Sequence, residues 1–135
     1  MVDSVSAVVR SQIMSRVRSK DTRPEMVVRR LVHGAGFRYR LHVANLPGRP
    51  DLVFPKRKKI IFVHGCFWHS HVGCGGARVP KSRTDFWLEK LGSNKVRDER
   101  NMQALIEAGW EVLVLWECQL RDPELIKRIR TFLTK

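Results

Sequence analysis

Asp51-Leu-Val-Phe-Pro-Lys-Arg-Lys-Lys-Ile-Ile-Phe-Val-His-Gly-Cys-Phe-Trp-His-Ser-His-Val-Gly-Cys74 holds two short apolar strands, then a loop crowded with histidine and cysteine. Asp51–Phe54 and Lys59–Val63 are joined by the tight basic turn Pro55-Lys-Arg-Lys58, so the pair reads as a hairpin. A hairpin centred near residues 56 and 57 sets Asp51 across from Phe62 or Val63. Asp51 then lies within a residue of His64 at one end of the sheet. Downstream, Trp110 to Glu117 is a strongly apolar central strand, and Cys118 follows it.

The flanking elements complete an α/β order. Asp21-Thr22-Arg23-Pro24-Glu25 is a helix start, with a capping-type residue followed by Pro and Glu in the first turn. That helix runs to about His33, Gly34 and Gly36 end it, and Glu25 shares a face with Val28 and Val32. Phe37 to His42 alternates with period two and predicts a half-exposed strand; Asn45-Leu-Pro-Gly48 is a turn. Residues 75–83 form a basic loop. A helix starts near Thr84 and carries Phe86, Trp87 and Leu91, with Gly92 interrupting or ending it. A second helical stretch runs from about Asn94 to Ala108. Asp122-Pro123-Glu124 opens a last amphipathic helix with Leu125, Ile129, Phe132 and Leu133 on one face. The order α-β-β-β-α-β-α predicts a mixed central sheet flanked by helices. Residues 1–20, polar and basic with only weak helical periodicity, predict a flexible arm ahead of a single domain over 21–135.

Composition narrows the function. Every apolar run is short, which excludes a transmembrane helix, and no stretch resembles a targeting signal, so the expected location is cytoplasmic. Three cysteines are an odd count, which favours metal ligands or free thiols over a disulfide framework. Twenty-six Lys and Arg against thirteen Asp and Glu leave a net charge of +13. Such a charge favours a polyanionic partner, because phosphate contacts release condensed counterions. The acids are unevenly placed: between Glu25 and Asp85 the sole carboxylate is Asp51, among twelve Lys and Arg.

Three sets of residues carry chemistry. Cys66-x4-His71-x2-Cys74 with the distant Cys118 supplies a Cys3His set, a normal structural zinc site. Spacing alone leaves His64 and His69 open as ligands, and three buried thiols with a surface histidine is the plainer reading. Asp51, Glu25, His64 and His69 then suit phosphodiester hydrolysis. A hard divalent ion needs a carboxylate, and acid–base work near neutrality suits histidine. Phe67, Trp68 and Trp87 form the third set, aromatics able to wedge between base steps, although Trp87 fits a helix core equally well.

Pro-Gly-Arg-Pro-Asp51, Val-His-Gly-Cys-Phe-Trp-His-Ser-His71, Phe-Trp-Leu-Glu-Lys90 and Val-Leu-Trp-Glu-Cys118 together resemble the very-short-patch repair (Vsr) mismatch endonucleases, over roughly residues 12–120. The resemblance implies a restriction-endonuclease-like fold of the PD-(D/E)XK type with a structural zinc. It implies a monomer that nicks double-stranded DNA beside the thymine of a T·G mismatch left by deamination of 5-methylcytosine. The setting would be the bacterial cytoplasm, on the nucleoid, with mismatch-repair accessory proteins as partners. By position, Asp51 would bind Mg²⁺ with the main-chain carbonyl of Val63, and Glu25 would hold water at the ion. His69 would be the base, and His64 would act on the phosphate or leaving group. Zn²⁺ would sit on Cys66, His71, Cys74 and Cys118, while Phe67, Trp68 and Trp87 would intercalate. The Glu-x-Lys of restriction nucleases is replaced by Phe62-Val63-His64, which is the Vsr variant. Ser70 and Val72 stand where the family carries further histidines, and one extra residue precedes Cys74. The alternatives are a zinc-stabilised DNA-binding module without catalysis and a sequence-specific restriction-type nuclease.

Overall fold

The computed structural model describes residues 22–75 and 78–135; the N-terminal arm expected over residues 1–20 lies outside them. Helix α1 (Arg23–Gly34) begins at Thr22, whose backbone is extended and whose Oγ1 accepts from the Glu25 N–H at 3.3 Å. Pro24 occupies the first turn. A cap of this kind contributes about 1 kcal/mol. The buried face of α1 is Glu25, Val28 and Val32, so the apolar stripe carries a carboxylate at one end.

The sheet is mixed, in the order β1 (Arg40–Leu41), β2 (Leu52–Phe54), β3 (Lys59–His64), β4 (Glu111–Trp116). The first two pairings are antiparallel and the third is parallel. Leu52 pairs with Ile61, which carries Asp51 opposite Phe62, the register expected of the hairpin. The turn is a single 3-10 turn, Pro55–Arg57, closed by Lys58 at φ 56. Side chains of β2 and β3 alternate between two apolar layers. Leu52, Phe54 and Ile61 pack with Val28, Val32 and Leu115. Val53, Ile60 and Phe62 pack with Leu105 on the other face. Each such side chain stabilises the fold by roughly 1.5–3 kcal/mol. Helices on both faces explain why β3 is apolar without alternation.

Helix α2 (Thr84–Glu107) makes the crossover that a parallel β3–β4 pair requires. It is one 24-residue helix, where the sequence predicts a break at Gly92. Gly92 lies on the exposed side with no neighbour for a Cβ within 4 Å. Its propensity cost of about 1 kcal/mol is smaller than the gain from burying Leu91 and Leu105 on the same helix. The strand expected over Phe37–His42 shortens to Arg40–Leu41, and at its C-terminal end His42 leaves the ladder at φ 47. Cys118 sits in a 3-10 turn, Glu117–Gln119, just beyond β4. Helix α3 (Leu125–Thr134) buries Leu125, Ile129, Phe132 and Leu133, the face read from its periodicity. Its last carbonyls accept from Lys59, whose buried Nζ lies 2.6 Å from Phe132 O and 2.9 Å from Lys135 O.

Candidate active site

Strands β3 and β4 run parallel, so the residues after both emerge at one end of the sheet, where antiparallel β2 begins. A cleft of about 810 Å³ opens there, lined by Glu25, His42, Asp51, His64, His69 and Asp98 among others. It brings together Asp51 just ahead of β2, Glu25 from α1, His64 at the end of β3 and His69 from the loop that follows.

The carboxylates form the first cluster. Asp51 Oδ2 accepts from the Val63 N–H at 2.7 Å, across the hairpin. Burial raises the Asp51 carboxyl to about 7; the Val63 hydrogen bond opposes this, and the neighbouring Glu25 adds to it. Glu25 is 1 % exposed. Its Oε2 accepts from the Arg29 guanidinium and from His42 Nε2, the latter at 2.7 Å. The side chain therefore does more than complement the helix dipole. Glu25, His42 and Asp51 each bring a ligand atom within 4.8 Å of the others, a donor set that fits a divalent cation.

The second cluster is His64, His69 and Asp98. The imidazoles stack, with centroids 3.8 Å apart and planes 5° from parallel. His69 Nδ1 bonds the Asp98 carboxylate. An ionised carboxylate accepts only, so Nδ1 carries the proton and Nε2 is the basic nitrogen. His64 is 5 % exposed. Burial first and the His69 charge second lower it to about 4, against the pull of Asp98, so it is neutral at pH 7. Its Nδ1 is buried and has no hydrogen-bond partner among the described residues. Such an atom is satisfied when a hydrogen-bonding group enters the cleft.

Cys66, His71, Cys74 and Cys118 form the third cluster, again with ligand atoms within 4.8 Å of one another. His71 Nδ1 lies 3.6 Å from Cys66 Sγ and 3.4 Å from Cys118 Sγ. The loop closes through the His71 N–H on Cys66 O at 3.0 Å, and Ser70 (φ 53) and Gly73 (φ 76) make its left-handed turns. The His71 ring stacks on Trp116, 4.1 Å between centroids. Burial pushes the Cys66 thiol up to about 12, with nearby Cys118 and Cys74 adding to it against a Cys118 backbone bond. A bound cation reverses that preference by favouring the thiolate. Three thiols and one imidazole this close fit a tetrahedral site. His64 and His69, open as ligands from spacing alone, are grouped with Asp98 instead.

Phe67, Trp68 and Trp87 meet edge to face at the rim, with centroids 5.0, 5.4 and 5.9 Å apart. Trp68 also lines the cleft. Each is partly buried against the others, and Trp87 packs on this trio rather than in the core.

Two site residues escape sequence reading. Asp98 lies seven residues from Leu91 and seven from Leu105, both buried, so it is a carboxylate on the inner stripe of α2. That placement is the signal that finds it. His42 reads as the end of an alternating strand, and nothing in its neighbours marks it.

Residues 2–74 match the DNA mismatch endonuclease Vsr family. The chain is 52 % identical to the Type II nicking enzyme V.XorIIP of Xanthomonas oryzae pv. oryzae, over 90 % of this chain and 89 % of that one. It is 42 % identical to the Type II nicking enzyme V.NmeAIP of Neisseria meningitidis, over 94 % and 90 %. It is 45 % identical to the DNA mismatch endonuclease Vsr of Escherichia coli, over 92 % and 79 %. The mixed α/β sheet is compatible with a nuclease fold, and the protein is a DNA endonuclease, a phosphodiester hydrolase. It belongs to the Vsr family, the one its motifs resemble. No helix among the described residues is long and apolar enough to cross a membrane.

Proposed function

We propose that this endonuclease nicks one strand beside the thymine of a T·G mismatch left by deamination of 5-methylcytosine, and so initiates very-short-patch repair. The observation that carries the reading is the meeting, in one cleft, of Asp51 with Glu25 and of His69 with Asp98, beside an aromatic rim. Asp51 would hold Mg²⁺ with the main-chain carbonyl of Val63, and Glu25 would hold water at the ion, whose charge would offset that of the scissile phosphate. His69 takes a proton from the attacking water at Nε2, while Asp98 keeps its ring in the productive tautomer. His64, neutral and buried, hydrogen-bonds the phosphate or leaving oxygen. Phe67, Trp68 and Trp87 enter the base stack, an unstacking that costs least at a mispaired step. Zn²⁺ on Cys66, His71, Cys74 and Cys118 would hold the loop that carries His69, next to His64 at the end of β3.

The protein acts as a single catalytic domain and a cytoplasmic monomer, with mismatch-repair proteins as accessories. A labelled T·G duplex incubated with protein and Mg²⁺, beside a T·A control, tests the reading. Nicking of the mismatched strand alone supports it; equal nicking of the paired duplex would sink mismatch specificity. The second outcome would favour the alternative of a nuclease that recognises sequence rather than mismatch.

A further inference from the structure

One imidazole in the cleft has no role in the scheme above. His42 follows β1 and continues its register: Arg40 pairs with Val53 and Leu41 with Leu52, which sets His42 beside Asp51. There the backbone turns to φ 47. Left-handed backbone costs a non-glycine residue about 1–2 kcal/mol. The turned residue lines the cleft, with Nε2 2.7 Å from Glu25 Oε2. A His42 nitrogen, a Glu25 oxygen and an Asp51 oxygen stand within 4.8 Å of one another. Three elements, α1, the end of β1 and the start of β2, thus converge on one small volume.

We propose that His42 is a direct ligand of the catalytic cation, joining Asp51 and Glu25 in a mixed nitrogen–oxygen site that binds Mn²⁺ and later first-row ions in preference to Mg²⁺. The proposal rests on the reading of Asp51 as a ligand to that cation. Adjacent ligands of an octahedral ion at about 2.1 Å stand about 3 Å apart, so the present His42–Glu25 contact needs to open only slightly. The donor chemistry then sets the preference. Mg²⁺ favours oxygen and keeps its water, whereas an imidazole raises affinity along the series from Mn²⁺ through Co²⁺. Arg29, on the same Glu25 oxygen, offsets one of the two negative charges. The electrostatic pull is correspondingly weaker, and the nitrogen donor carries more of the affinity.

The test is Mn²⁺ binding to the full, zinc-loaded chain, followed by EPR, with pulsed EPR reading hyperfine coupling to a coordinated imidazole nitrogen. The wild type should show that coupling. His42→Gln keeps a hydrogen-bond donor for Glu25 but should lose the coupling. It should also bind Mn²⁺ on the order of 10- to 100-fold more weakly, a loss that a merely orienting partner would also give. The nitrogen signal is therefore the deciding readout. His42→Asn, carried in parallel, should behave alike, and zinc content and far-UV CD check that both variants fold. If the coupling is absent from the wild type or survives both substitutions while Asp51→Asn still abolishes Mn²⁺ binding, His42 is not a ligand and the Asp51 site stands. If Asp51→Asn leaves Mn²⁺ binding unchanged, the Asp51 reading and the proposal fall together.

Discussion

Two of the three metal-capable clusters at this end of the sheet are assembled in opposite ways. The cysteine–histidine cluster draws three of its four donors from nine residues of one loop, Cys66 to Cys74, and borrows only Cys118 from beyond β4. The carboxylate cluster takes each donor from a different part of the chain, with Glu25 in α1, His42 just after β1 and Asp51 just before β2. The first is soft, sulfur-rich and fit to hold chain in place; the second is hard, oxygen-rich and open to a cleft. A site that stabilises a loop can be local. A site that must face a phosphate from several sides cannot, because no single turn of chain surrounds a substrate.

That contrast predicts separable failures. Asp51→Asn should reduce nicking on the order of 10³-fold or more, the several kcal/mol that a lost cation contributes to the transition state. Its zinc content should match wild type; zinc lost from this variant would show that the two clusters are one. Cys118→Ser should do the reverse, lowering zinc content by elemental analysis. It should also lower the melting temperature by roughly 5–10 °C, what about 2 kcal/mol costs a domain of this size. An unchanged melt would count against structural zinc.

Asp98→Asn tests the histidine pair. It should lower kcat by about 10- to 100-fold with little change in KM, because the amide no longer holds His69 as the Nδ1–H tautomer. A matching rise in KM would instead make Asp98 a substrate contact. The smallest effect is on pH. Asp51 goes from 3.8 to about 7 on folding, so burial costs nothing below about 4, where both states are protonated, and its full penalty above about 7. Cation binding needs the carboxylate and runs the other way, with affinity falling up to about tenfold per unit as pH drops below 7. Titration of Mn²⁺ between about pH 5.5 and 7.5 reads the slope; a flat affinity would mean that Asp51 is already ionised without the ion.

The same contrast marks what was legible. Short apolar runs and a tight turn define a hairpin, and hairpin register is arithmetic, so Asp51 across from Phe62 or Val63 follows from the chain alone. The cysteine–histidine loop is legible because its donors are near in sequence. The buried face of α3 is legible because helical period and apolar spacing coincide. Periodicity fails at Gly92, where local propensity argues for a break and packing of Leu91 and Leu105 overrides it.

Amino-acid order by itself determined the hairpin pairing, three of the four soft donors and the family motifs, all of them effects of neighbours a few residues apart. Only the tertiary structure decided that Asp98 reaches back 29 residues to His69 and that His42 reaches 17 residues to Glu25. Those partners meet because α2 crosses one face of the sheet and α1 packs on the other. Contacts made by closing long loops leave no period in the sequence, and an acid on an inner stripe has meaning only once its opposite number is in place.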